Sequence, residues 1–141
     1  MCQHGCGAFP ISGEHLNLTN LETGVYAVRK DLFNWDNVNS FCASHDLQAI
    51  TLNSQLEFNL ISAQLSAEFW TSARYESGEF VWAENSVLLP INSTLWADAE
   101  PDDFLTSNRA CVKASPELKL FDDDCRRPLW FACEMPESCY V

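Results

Sequence analysis

Basic residues are scarce in this chain. Lys and Arg total 8 against 20 Asp and Glu in 141 residues, a formal net charge of −12. A surface of that sign repels phosphate backbones and anionic lipid headgroups, which argues against nucleic acid or an acidic membrane as partner. No apolar run approaches the length of a bilayer span, so no membrane insertion is expected. Also missing are a nucleophile elbow, a His-Glu-x-x-His helix, a phosphate loop and a dinucleotide fingerprint. Without them the spacings that hydrolytic, zinc-dependent and nucleotide-dependent catalysis use are not there. His4, His15 and His45 lie in or beside polar segments, and His45 reads as the end of a helix, where a cation suits the dipole. The chain therefore reads as a binding module and not an enzyme. Residues 1–12, MCQHGCGAFPIS, have no basic stretch and no apolar core, so no signal peptide is visible.

Hydrophobic residues make up 47% and charged residues 20%, the composition of one globular domain. Seven cysteines in so short a chain point to an oxidising compartment and a disulfide framework. Two sequons, Asn17-Leu18-Thr19 and Asn92-Ser93-Thr94, agree with a secreted or extracellular glycoprotein. The expectation is an exported chain whose signal has been removed, or a part of a longer protein. Seven is odd, so at least one of Cys2, Cys6 and Cys139 is left over if the other four pair internally. A bond from the N-terminal segment to Cys139 would leave a thiol for a partner chain, so a disulfide-linked or non-covalent oligomer is one expectation. Cys2-Gln-His4-Gly-Cys6 lacks a matching second pair of zinc ligands and reads as disulfide-forming.

Three segments are expected: an N-terminal extension over residues 1–23, a domain over 24–135 and a tail over 136–141. Residues 25–28 read as a strand. Trp35, Val38, Phe41 and Cys42 share one helical face, with Asn34 as cap. Residues 47–52, LQAITL, read as a strand or connector. Ser54 and Glu57 have capping-box spacing, with Leu56, Leu60, Ile61 and Leu65 as the apolar face of a second helix. After residue 68 the pattern changes to strands, with a hairpin over 69–82 turning at Glu-Ser-Gly. Three further strands are expected at 110–113, 118–121 and 130–133. Residues 85–108 form a long irregular region, the kind of loop that often carries function. The whole is an α+β arrangement.

The stretch from Glu100 to Cys125 carries the chemical signal. Glu100-Pro101-Asp102 opens it with Asp103 next, and Asp122-Asp123-Asp124 closes it, with Cys111 and Cys125 near the two acidic clusters. If those cysteines pair, both clusters are drawn towards one place. Carboxylates gathered that way repel unless they sit in water or around a cation, and outside the cell the hard oxygen-ligand cation is Ca2+.

From Tyr26 to Glu134 the chain resembles a C-type lectin-like domain. The marks are Trp35 and Cys42 on the first helix, Glu57 on the second, and Phe69-Trp70 where the family has its Trp-Ile-Gly-Leu strand. Trp82 follows, then Trp96 four residues before Glu100-Pro101-Asp102, Cys111 with Cys125, and Cys133-Glu134. The resemblance implies two helices, small antiparallel sheets and a long ligand-binding loop. It also implies disulfides Cys42–Cys133 and Cys111–Cys125, a cis bond before Pro101, and Trp35, Trp70, Trp82 and Trp96 as structural aromatics. It further implies a Ca2+ ion in the long loop, with a glycan bound directly to it. Glu100, Asp102 and Asp122 stand at the metal and carbohydrate positions, with Asn108 as a further metal ligand. The chain departs from the family pattern at Leu120-Phe121, where Trp and Asn are usual. A one-residue shift of register would bring Asp123 in as a ligand. Arg109, next to Asn108, would repel an ion. Glu-Pro-Asp is neither the Glu-Pro-Asn of mannose-type nor the Gln-Pro-Asp of galactose-type sites, so it names no sugar. Two functions are expected from this: calcium-dependent sugar recognition, with innate immune recognition as the family-level role, and, alternatively, calcium-independent protein binding.

Overall fold

The computed structural model describes residues 16–83, 85–102 and 110–136. Expectations for Cys2, His4, Cys6, His15, Asp103, Asn108, Arg109 and Cys139 fall outside those residues. The chain runs through β1 (Thr19–Leu21), β2 (Gly24–Phe33), α1 (Trp35–Ser44), β3 (Gln48–Ala49), α2 (Gln55–Leu65), β4 (Phe69–Glu76) and β5 (Glu79–Trp82). It continues through β6 (Val87–Leu88), β7 (Ala110–Ala114), β8 (Leu120–Asp124) and β9 (Leu129–Glu134). The expected extension is partly built into the sheet, since Thr19 of β1 pairs with Tyr26 of β2.

Both helices begin where their caps place them. The Asn34 side chain accepts from the Asn37 N–H at 2.8 Å, and the Ser54 hydroxyl accepts from the Glu57 N–H at 3.1 Å. His45 caps the end of α1. The apolar face of α2 differs from expectation: Phe58, Ile61 and Leu65 are buried, whereas Leu56 is 42% exposed. Phe58, Ile61 and Leu65 share a face with Glu57, which is buried because its carboxylate accepts from the Tyr26 hydroxyl at 2.7 Å and the Asn53 N–H at 2.9 Å. Of residues 47–52 only Gln48 and Ala49 pair, with β9; Ile50 and Leu52 are buried without a ladder.

The strands form one mixed sheet in the order β1-β2-β9-β4-β5-β6, with β3 on β9 and the β7–β8 pair on β4. The β4–β5 turn is two residues, Ser77 and Gly78, between paired Glu76 and Glu79. Both take positive φ, 53° and 89°, as a type I′ hairpin turn requires. Strand β4 is buried on both faces, so Phe69 and Trp70 face opposite ways. Phe69 joins Tyr26, Phe58, Ile61, Phe80 and Leu120 in one core cluster. Trp70 joins Trp35, Val38, Cys42 and Phe131 in the other, on the α1 side. All four tryptophans expected in the core are buried, none more than 5% exposed.

The two disulfides are those the resemblance implied. Cys42–Cys133 joins α1 to β9 across 91 positions, and Cys111–Cys125 joins β7 to the end of β8 across 14.

Candidate metal and ligand site

The long loop is held at its middle by aromatic and backbone anchors. Pro90 to Ser93 makes a turn, the Ser93 N–H donating to the Pro90 carbonyl at 3.0 Å. The Trp96 indole donates to the same carbonyl at 2.9 Å and packs edge-on against Phe80 at 5.0 Å. The Leu120 N–H donates to Leu95 O at 2.8 Å, and Ala97 N–H donates to Leu120 O at 3.0 Å. The loop is thereby tied to the first residue of β8. Glu100 N–H then donates back to Ala97 O at 3.0 Å, and the Glu100–Pro101 bond is cis, as the resemblance implied.

The alternation of β8 decides which acidic residue meets this loop. Leu120 and Asp122 lie on one face, Phe121 and Asp123 on the other. The Leu120 side chain packs in the core cluster that also holds Trp96 of the loop, and Asp122, two residues on and on the same face, reaches Glu100-Pro101-Asp102. Asp122 accepts from the Asp102 N–H at 2.8 Å. Glu100, Asp102 and Asp122 each offer a carboxylate oxygen, and these atoms lie within 4.8 Å of one another. Asp122 is buried, Glu100 half-buried and Asp102 exposed.

Three carboxyls at that distance oppose one another. The Glu100 carboxyl is pushed up to about 8, by burial first, then by its hydrogen bond with Asp122 and the charges of Asp102 and Asp122. One of its oxygens is buried with no hydrogen-bond partner among the described residues. Two oxygens on opposite sides of one Ca2+, at roughly 2.4 Å each, stand about 4.8 Å apart, so the spacing suits a shared ion. Carboxylate oxygens are among the hard donors that calcium takes, whereas structural zinc sites are built of Cys and His.

Asp123 is brought elsewhere. Its carboxylate pairs with Lys113 at 2.8 Å and with Arg127 at 2.9 Å, on the far face of β8. Burial alone would raise its pKa. The hydrogen bonds from Lys113 and the Asp124 N–H, the Lys113 charge and the Arg127 guanidinium outweigh burial and hold it below the ordinary range. Lys113 also pairs with Glu68 at 3.1 Å and sits 5.7 Å from the centre of the Phe121 ring. Asp122, and not Asp123, therefore stands with Glu100 and Asp102, and Phe121 lies on the other face of β8. The Lys113 network was not read from the sequence; a lone lysine in the otherwise apolar Ala110–Ala114 was the available sign. Both sequon asparagines, Asn17 and Asn92, are exposed.

The family model described as "Lectin C-type domain" matches residues 32–135. A curated relative, C-type lectin domain family 10 member A of Rattus norvegicus, is 24% identical over 106 residues. The match covers 72% of this chain and 34% of that protein, so the chain spans about a third of the relative's length. Among solved structures, SPL-1 in complex with GlcNAc superposes with a TM-score of 0.71 at 18% identity, covering 99% of this chain and 100% of that one. The Ca2+-independent C-type lectin SPL-2 from Saxidomus purpuratus superposes at 0.70 with 20% identity, covering 88% and 93%. At these identities the likeness is one of fold.

Proposed function

The chain belongs to the C-type lectin domain family, and from that premise we propose that it is a secreted protein recognising glycans in a calcium-dependent way through its long loop. The observation that carries this reading is the convergence of Glu100, Asp102 and Asp122 within 4.8 Å, with a buried Glu100 oxygen left without a hydrogen-bond partner among the described residues. These three carboxylates would hold the ion, with Asn108 of the neighbouring segment as a further oxygen ligand. Bound Ca2+ supplies a cation that vicinal sugar hydroxyls can coordinate. The carboxylates would do the rest, accepting hydrogen bonds from those same hydroxyls while Asp122 keeps the Asp102 backbone in place. Four such protein ligands would leave part of a coordination shell of six to eight oxygens open for sugar and water. Extracellular residence fits the disulfides, and no helix among the described residues is long and apolar enough to cross a membrane.

Columns of immobilised mannose, galactose and N-acetylglucosamine test this. Retention in calcium and release by EDTA is expected on at least one. Retention that ignores EDTA, or none on any glycan presented, opposes the reading.

A calcium-independent protein-binding module is the second reading. Its support is the Glu100 carboxyl pushed up to about 8, since a proton kept on Glu100 relieves the cluster without an ion. SPL-2, described as Ca2+-independent, has the same fold.

A further inference from the structure

Away from the long loop, a shallow basin of about 500 Å3 is lined by Asn17, Val28, Arg29, Lys30, Asp31 and Gln64. Its floor is the middle of β2, and one wall is the last turn of α2. Asn17 belongs to the stretch leading into β1. Leu16 and Leu18 on either side pack against the α1-side core, so the period-two alternation of an extended chain turns Asn17 outward. Asn17 begins the sequon Asn17-Leu18-Thr19 and is exposed. Any group bonded to its side chain therefore starts its course inside the basin.

The lining is of mixed donors and acceptors with little net charge. Arg29 is committed to Asp31 at 2.6 Å, leaving the pair near neutral. Lys30 lies over the Trp130 ring at 5.3 Å. The Gln64 carboxamide can donate and accept. Such walls suit a neutral ligand rich in hydroxyl and amide groups, and the volume is within the range that holds a small ligand.

We propose that Asn17 carries an N-linked glycan whose first sugars lie in this basin, bridging the N-terminal approach to β2 and α2. In the modification, the Asn17 carboxamide nitrogen bonds to the anomeric carbon of an oligosaccharide donated by a lipid diphosphate and loses one proton. The sugar–oxygen bond breaks and the lipid diphosphate leaves with the electron pair. This inference is independent of the calcium reading and stands if that reading fails.

The test uses the full chain secreted from eukaryotic cells. Peptide mapping after glycosidase treatment, which turns a glycosylated Asn into Asp, is expected to mark Asn17. Endoglycosidase trimming at Asn17 is expected to be about tenfold slower in the native protein than after heat denaturation, because the enzyme must wait for the sugars to leave the basin. The double variant Lys30→Ala with Gln64→Ala, both at exposed positions, is expected to recover most of that rate. An unmodified Asn17, equal native and denatured rates, or a slow rate indifferent to the double variant would each overturn the proposal.

Discussion

Glu100 is where burial and charge conflict most directly. An unfolded glutamate titrates near 4.5, and in the fold this one is pushed up to about 8. Between those values the ion-free fold holds more protons than the unfolded chain, so the stability this group contributes is lost as pH rises through about 8. In chelator, the melting temperature should therefore fall between about pH 5 and pH 8.5, and Glu100→Gln should flatten that fall. Calcium should offset it, because the ion binds the deprotonated carboxylates. A melting profile equally steep in the variant would show that other groups set the slope. Residue type and spacing made Glu100, Asp102 and Asp122 legible in the sequence. The burial of the Glu100 oxygen was not, because it depends on a loop packing against a strand twenty residues away.

Strand β8 shows what a single element decides. Three consecutive aspartates look alike in sequence, and period-two alternation alone does not say which face meets the loop. The answer comes from its neighbours. Leu120 is fixed by residues 95–97, and Asp123 is claimed by Lys113 and Arg127. Lys113→Met leaves a largely buried carboxylate short of a partner and should cost about 1–3 kcal/mol, read as a lower urea midpoint at unchanged slope. An unchanged midpoint would mean that Arg127 and the Asp124 N–H satisfy Asp123 without Lys113. Helix starts were legible, since Asn34 and Ser54 act locally on the next turn. The burial of Glu57 and the exposure of Leu56 were not, because Tyr26 comes from a strand thirty-one residues earlier.

For the whole molecule, the Cys42–Cys133 bridge ties the first helix to the last strand. Replacing both cysteines with alanine should cost up to about 4–5 kcal/mol, against about 3 for the shorter Cys111–Cys125 loop. Denaturant unfolding of the two variants gives the comparison, and a larger loss from the shorter bridge would contradict the loop-length argument. The order of elements and both pairings were legible, because motif spacing over about three quarters of the chain matches one family. The two-sided core was not, since nothing in Phe69-Trp70 tells that the strand is covered on both faces. It takes α1 on one side and α2 on the other to bury them.

Calorimetric melting with and without calcium reaches the central claim most directly. For an extracellular site with a Kd on the order of 0.1–1 mM, calcium at about 10 mM should add roughly 1.4–2.7 kcal/mol. That raises the melting temperature by about 5–10 °C in the unaltered chain, while Asp122→Ala, still folded, should show no rise. A melting temperature indifferent to calcium in the unaltered chain, or a rise of equal size in Asp122→Ala, would contradict the account.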